Sequence, residues 1–305
     1  IKRTPLDAFR AQKRGGKGRA GMATKDEDAV TNLFVTSTHS PVLFFSNLGK
    51  VYRLKVWRLP EGGPATRGRP MVNLLPLAGD ETITTVLPLP ENEEEWSDLH
   101  ILFATCKGTV RRNSMDAFRN IPTAGKIAMR FGESEDGDAT DRLVGVTLLS
   151  EDDDVLLATR RGKAIRFPAV AVREFQSRTS TGVRGITLAS DDQVISLSVL
   201  KRVGTTQEEK DEYLRFAPWK GDREGEPTLA PDRFAEMASR EEFILTVTAN
   251  GFGKRSSAYE YRRTNRGGQG ITNIEMSERN GPVVASFPAR NGEQIILVTD
   301  QAKLI

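Results

Sequence analysis

Apolar positions along the chain come in short runs, each closed by a glycine and followed by a cationic tip. Leu43–Leu48 leads through Gly49 to Lys50-Val51-Tyr52-Arg53, and Leu102–Lys107 through Gly108 to Thr109-Val110-Arg111-Arg112. Leu156–Arg161 leads through Gly162 to Lys163-Ala164-Ile165-Arg166, and Leu245–Asn250 through Gly251 to Phe252-Gly253-Lys254-Arg255. In all four copies an arginine stands four residues after the glycine. Ile1-Lys2-Arg3 matches the tail of one more copy, and Ile296–Ala302 the head of another. Such runs, rich in Val, Ile, Leu and Thr and punctuated by Gly, Asn and Pro, predict hairpin strands rather than helices. The anchor glycines lie 59, 54 and 89 residues apart. Repeats of roughly fifty residues built from short strands predict the blades of a propeller-like array. Their boundaries fall near 1–38, 39–98, 99–150, 151–240, 241–290 and 291–305, within one domain. The long interval holds a polar stretch from about Thr205 to Arg240, where Pro231–Arg240 is the best helix candidate. This stretch interrupts a repeat without supplying one, so its removal is expected to leave the blades folded.

Each repeat carries a second landmark, a Gly-rich basic loop after its arginine. The copies are Gln12–Gly18, Thr66-Arg67-Gly68-Arg69, Gly125-Lys126, Gly182-Val183-Arg184-Gly185 and Arg266-Gly267-Gly268-Gln269-Gly270. Glycines expose backbone N–H groups and permit close approach, while Lys13, Arg14, Lys17 and Arg19 supply charge, so these loops read as phosphate-binding elements. The recurrent arginines Arg3, Arg53, Arg112, Arg166 and Arg255, with Lys2, Lys50, Arg111, Lys163 and Lys254 beside them, occupy equivalent positions of a repeated unit. Around a ring of blades such positions are expected to form a basic rim that attracts a polyanion through counterion release.

Charge supports that reading once its distribution is considered. The 44 Lys+Arg against 41 Asp+Glu leave a net charge of only +3. Segments 91–98, 133–141, 151–154 and 208–242 hold 25 of the acidic residues and six of the basic ones. The remainder, which contains the loops and the recurrent arginines, carries 38 basic and 16 acidic residues. Catalytic chemistry finds no constellation. Cys106 alone excludes a disulfide framework and is read as a core residue, and His39 and His100 are read as structural. Glu93–Glu95 and Asp152–Asp154 are expected to be solvated loops, since consecutive carboxylates point in different directions. Trp57, Trp96 and Trp219 share no spacing that would make a base-stacking platform. Gly16-Lys17-Gly18-Arg19-Ala20-Gly21 spells G-x-G-x-x-G but follows no buried strand and precedes no acidic residue closing a βαβ unit. No apolar run approaches a membrane span, and no signal peptide is expected.

Gln12-Lys13-Arg14-Gly15-Gly16-Lys17-Gly18 resembles the GyrA box, Q-R-R-G-G-R-G, of the C-terminal domain of the bacterial DNA gyrase A subunit, with lysine for arginine at positions 13 and 17. Phe103-Ala104-Thr105 and Leu157-Ala158-Thr159, each leading to glycine, resemble the repeats of that family. The resemblance implies an all-β fold, a β-pinwheel of about six four-stranded antiparallel blades with strands exchanged between neighbours and, here, truncated end blades. It implies a non-catalytic domain that wraps double-stranded DNA in a positive sense, so that the holoenzyme introduces negative supercoils. The implied partners are the N-terminal breakage-reunion domain, which carries the catalytic tyrosine, and gyrase B in an A2B2 assembly. The implied location is the cytoplasm, at the nucleoid. No cofactor is implied in this portion, ATP and Mg2+ being used elsewhere in the enzyme. Two other readings share the repeat: a ParC-type C-terminal domain of topoisomerase IV, against which the box argues, and a propeller-like protein-interaction platform.

Overall fold

A computed structural model describes residues 1–8, 22–23, 32–131, 141–221, 224–290 and 293. Two compact units account for them: residues 1–97 with 115–130, and residues 98–114 with those from 131 to 293. The strands, in chain order, are β1 (Pro41–Ser46), β2 (Lys50–Lys55), β3 (Ile83–Pro88), β4 (His100–Thr105), β5 (Thr109–Ser114), β6 (Lys126–Ile127), β7 (Leu143–Leu149) and β8 (Asp154–Thr159). β9 (Lys163–Pro168), β10 (Val183–Arg184) and β11 (Val194–Leu200) follow. Then come two helices, α1 (Gln207–Phe216) and α2 (Pro231–Ser239), and β12 (Phe243–Thr248), β13 (Gly253–Ser257), β14 (Ile271–Thr272) and β15 (Val283–Ala289).

All pairing is antiparallel within sheets ordered β3-β1-β2-β6, β10-β5-β4-β7, β11-β8-β9-β14 and β13-β12-β15. Each apolar run forms the inner strand of a hairpin and each anchor glycine its turn. The strands β6, β10 and β14 come from the Gly-rich loops, and each pairs with the hairpin of the preceding repeat. The glycine is what admits this exchange. Gly162 has φ +79°, and a Cβ there would lie 2.3 Å from the carbonyl oxygen of Ile274 in the incoming segment. Gly108, at φ +84°, would place a Cβ 2.9 Å from the carbonyl oxygen of Ile186. An L side chain is excluded at both positions by backbone conformation and by space.

β1 is buried along its whole length and β8 likewise, because each is covered on both faces. In the first unit Val42, Phe44 and Tyr52 pack with Val56, Leu59 and Leu75. In the second, Leu102, Ala104 and Val110 meet Val155, Leu157, Ile165 and Phe167, so the core lies between adjacent sheets. A second cluster joins Leu156, Ala158 and Ala164 to Ile244, Ala258 and Tyr261. Burial of each large apolar side chain contributes about 1.5–3 kcal/mol.

The segment between β11 and β12 is ordered into α1 and α2. α2 lies within Pro231–Arg240, the expected helix, and opens with proline in its first turn. α1 begins with a capping box, Thr206 Oγ1 accepting from the Glu209 amide while Glu209 accepts from the Thr206 amide. Tyr213 and Met237 are fully buried and share a cluster with Tyr259, which follows β13. The Tyr259 hydroxyl donates to the Met237 carbonyl at 2.9 Å. The helices therefore share a buried cluster with the turn that follows β13, where the sequence led us to expect a stretch whose removal leaves the blades folded.

Of the two acidic runs, Glu94, Glu95 and Asp152 are exposed as expected, whereas Asp153 and Asp154 are not. Asp153 and Asp154 are 2% and 1% exposed and are ion-paired, to Lys201 at 2.8 Å and to Arg166 at 2.9 Å. The residues of Glu93–Asp98 form a 3-10 helix that buries Trp96. Cys106 is buried, as expected. Among the described residues no helix is long and apolar enough to cross a membrane.

Candidate nucleic-acid interface

Four of the five recurrent arginines, Arg3, Arg53, Arg112 and Arg166, reach one backbone feature. In each repeat the second hairpin strand ends in a 3-10 turn: Val56–Arg58, Met115–Phe118, Ala169–Ala171 or Ala258–Glu260. The arginine of the preceding repeat donates to a carbonyl in that turn or at the residue that follows it. Arg3 Nε reaches Leu59 O at 3.0 Å, Arg112 Nε reaches Val172 O at 2.8 Å and Arg166 Nη1 reaches Ala258 O at 2.8 Å. Arg53 Nη1 donates to Arg119 O. Each also holds a carboxylate: Glu61, Glu93, Glu151 and Asp154 respectively for Arg3, Arg53, Arg112 and Arg166. A planar fork of fixed donors suits a carbonyl and a carboxylate at once, which lysine's single ammonium does not.

This corrects the expected rim. Arg112 and Arg166 are 5% and 6% exposed and Arg111 is fully buried, so these three face the interior and serve as latches between repeats. Arg111 lies over the Phe103 ring. Burial, with the guanidinium of Arg178 adding to it, lowers its pKa to about 10. Arg3 and Arg53 are half-buried in the same latch. Three lysines are likewise engaged. Lys2 Nζ donates to the carbonyls of Gly63, Pro64 and Thr66 at 2.6–3.0 Å, Lys50 pairs with the buried Glu81 at 3.7 Å, and Lys126 Nζ reaches Asn120 O at 3.4 Å.

Other expected cations do face solvent. Arg67, Arg69, Lys163, Arg184, Lys254 and Arg255 are exposed. The Arg255 guanidinium stacks 3.7 Å from the centre of the Phe243 ring, and Lys163 Nζ meets Thr272 Oγ1 at 3.1 Å. Arg266 is half-buried, its Nη1 donating to the carbonyl of Arg184 at 2.8 Å. Gly267 N donates to Gly185 O at 2.7 Å and Thr187 N to Gly268 O at 2.9 Å, so the Gly-rich loops of successive repeats are stitched side by side. Gln12, Lys13, Arg14, Gly15, Gly16, Lys17, Gly18 and Arg19 lie outside the described residues.

The first unit adds cations that the repeat pattern did not single out. A depression of about 260 Å³ is lined by Arg53, Lys55, Arg58 and Arg119 around the half-exposed Trp57, with no carboxylate in its wall. A second, of about 210 Å³, brings Lys2, Arg67 and Arg69 together with Arg58 and one carboxylate, Glu61. In the second unit Lys107, Arg160 and Arg161 are exposed immediately before anchor glycines. Their position ahead of the turn, on both the second and third repeats, was a signal available in the sequence.

Residues 1–37, 40–90, 99–148, 153–201 and 242–290 match the DNA gyrase C-terminal domain family, described as a β-propeller. The two helices lie between the last two matched segments. The A subunit of DNA gyrase from Rickettsia bellii is 51% identical over 315 residues, and its counterpart from Escherichia coli K12 is 37% identical over 305. All of this chain is covered in both comparisons, against 34% and 29% of the two relatives, so the chain spans about a third of their length. Among solved structures, the C-terminal domain of DNA topoisomerase IV superposes with a TM-score of 0.71 at 20% identity, covering 100% of this chain and 79% of that one. A DNA gyrase A C-terminal domain superposes with a TM-score of 0.66 at 21% identity, covering 100% and 84%. At such identities the two structures speak for the fold alone.

Proposed function

Because the chain belongs to the DNA gyrase A C-terminal domain family, we propose that it binds and wraps duplex DNA as a non-catalytic part of a gyrase A subunit. The wrap has a positive sense, so that an A2B2 holoenzyme with gyrase B and the N-terminal breakage-reunion domain introduces negative supercoils in the cytoplasm, at the nucleoid. ATP and Mg2+ act elsewhere in that enzyme.

The observation that supports this most directly is the sorting of cations by role. Arg112 and Arg166, each with a carboxylate partner, are turned inward, whereas Arg67, Arg69, Lys163, Arg184, Lys254 and Arg255 remain exposed on or beside the hairpins and Gly-rich loops. Repeated exposed cations contact phosphates without reading base edges, so sequence preference is weak and affinity depends on salt. Gln12–Gly18 is proposed as the element that makes wrapping productive.

The test is ligation of nicked circular DNA bound to the chain, followed by reading the sign of the trapped linking difference. Positive wrapping is expected. Binding that traps no linking difference would reduce the domain to a DNA tether, and absence of salt-dependent binding would favour a protein-interaction platform.

A further inference from the structure

The loop Gln176-Ser177-Arg178-Thr179-Ser180-Thr181-Gly182 matches Gln12–Gly18 at its first, third and last residues, Gln, Arg and Gly, with hydroxyl residues at the other four positions. Side chains of β5 seat it. Arg111 Nη1 donates to the carbonyls of Arg178 and Ser180 at 2.5 and 2.7 Å, and Asn113 Nδ2 donates to the carbonyl of Phe175. Gly182, at φ +109°, presses the end of the loop onto Val110, where a Cβ would lie 2.5 Å from the carbonyl oxygen.

One atom in this arrangement is left over. Arg178 Nη1 is out of reach of water and has no hydrogen-bond partner. The charge of Arg178 is felt at Arg111, so two guanidiniums are close together. Residues 175–184 contain no acidic side chain. Glu174, next along the chain, is engaged by His100 at 2.9 Å and by Gln176 at 3.3 Å. A buried donor without an acceptor costs stability, and so does like charge at close range. Both costs are relieved if Arg178 turns outward to an anion. Thr179, Thr181 and Arg184 are exposed around it, and a backbone phosphate accepts from a guanidinium and from hydroxyls together.

We propose that Gln176–Gly182 is a second phosphate-anchoring loop, in which Arg178, seated beside the buried Arg111, swings out to the backbone of duplex DNA. The inference rests on the wrapping function proposed above and assigns it a contact away from Gln12–Gly18.

The experiment compares the wild-type chain with Arg178→Gln, Arg178→Lys and Thr181→Glu in duplex-DNA titrations across a salt series, alongside thermal unfolding without DNA. Arg178→Gln is expected to weaken binding several-fold and to lower the log–log salt slope by about 0.9, the loss of one phosphate contact. Its melting temperature is expected to stay level or rise, since the unpartnered buried N–H is gone. Arg178→Lys restores most of the slope. Thr181→Glu, at an exposed position, weakens binding through repulsion even if Arg178→Gln fails to fold. Unchanged affinity and slope in both Arg178→Gln and Thr181→Glu, with the wild type still binding steeply, would overturn the loop while leaving the wrapping function intact. A wild type without salt-dependent binding would overturn both. Displacement of DNA by inorganic phosphate at matched ionic strength, in the wild type but not in Arg178→Gln, would assign the loop to a free anion and overturn the duplex assignment.

Discussion

Asp154 joins two repeats through a single carboxylate: Arg166 Nε donates to its Oδ2 and Arg263 Nε to its Oδ1, each at 2.9 Å. Arg166 comes from the same sheet and Arg263 from the following repeat, so the carboxylate marks where one blade is fastened to the next. Asp154 and Arg166 are 1% and 6% exposed. Removal of one member of a buried pair strands the other charge, at a cost of about 3–5 kcal/mol. Asp154→Ala is therefore expected to lower unfolding stability by that amount in urea titration. A loss below about 1 kcal/mol would show that water satisfies the stranded guanidiniums and that the carboxylate fastens nothing.

Latch and surface arginines are expected to separate experimentally. Arg112→Ala removes donors to Val172 O and Glu151 and should cost about 1–3 kcal/mol, while the DNA affinity of the folded protein is retained. Arg184→Ala should leave stability within about 0.5 kcal/mol and reduce the salt slope of DNA binding by about 0.9. Denaturant melts and salt titrations on the two variants check this, and a reversed pattern would contradict the assignment of roles.

Alkaline pH is expected to weaken the fold. Burial, aided in Tyr52 by the hydrogen bond to Glu81, pushes the hydroxyls of Tyr52, Tyr259 and Tyr261 up to about 12 from an ordinary 10.0. A phenol with a raised folded pKa contributes fully below pH 10, and that contribution disappears as pH rises through 12. The expected loss is about 2 kcal/mol per phenol. Tyr52→Phe should flatten the stability profile between pH 10 and 12, measured by urea midpoints at stepped pH. An unchanged profile would mean that the other tyrosines carry the effect.

The helices α1 and α2 are expected to stabilise the last sheet. Tyr213 packs edge-on against Tyr259 with ring centres 5.3 Å apart, and Met237 is fully buried with them. Tyr213→Ala should cost about 3–5 kcal/mol. Deletion of 205–240 should expose Tyr259 and lower the melting temperature. Native-state hydrogen exchange would localise the loss to β12 and β13, and an unperturbed melt would return the segment to the status of a removable insert.

The hairpins and their turns were legible because the glycines and apolar runs recur, and recurrence survives in a single sequence. The direction in which Arg112 or Arg166 points was not. A cation repeats at one position of a blade equally well because every blade needs a latch or because a ligand follows the array, and both residues sit on strands whose two faces are covered. The same ambiguity hid Asp153 and Asp154, whose neighbours in sequence are acidic but whose partners are Lys201 for the first, and Arg166 and the distant Arg263 for the second. The helix α1 was missed although Thr206 and Glu209 have capping-box spacing, because its acidic surface masked the buried Tyr213. Arg178 was not singled out by the repeat, although its loop shares Gln, Arg and Gly with Gln12–Gly18. What sets it apart is its unpartnered buried nitrogen, which only the folded chain shows.

The exchange of β6, β10 and β14 onto preceding hairpins interlocks the chain like links. A sheet is then not a cassette: cutting the chain at the borders of a sheet severs a donor from its acceptor on both sides. Blades can be gained or lost only by cuts at repeat borders, where acceptor and donor travel together. A nick in one connecting loop leaves the severed strand clasped by its neighbour, so breakage of the backbone need not release a blade.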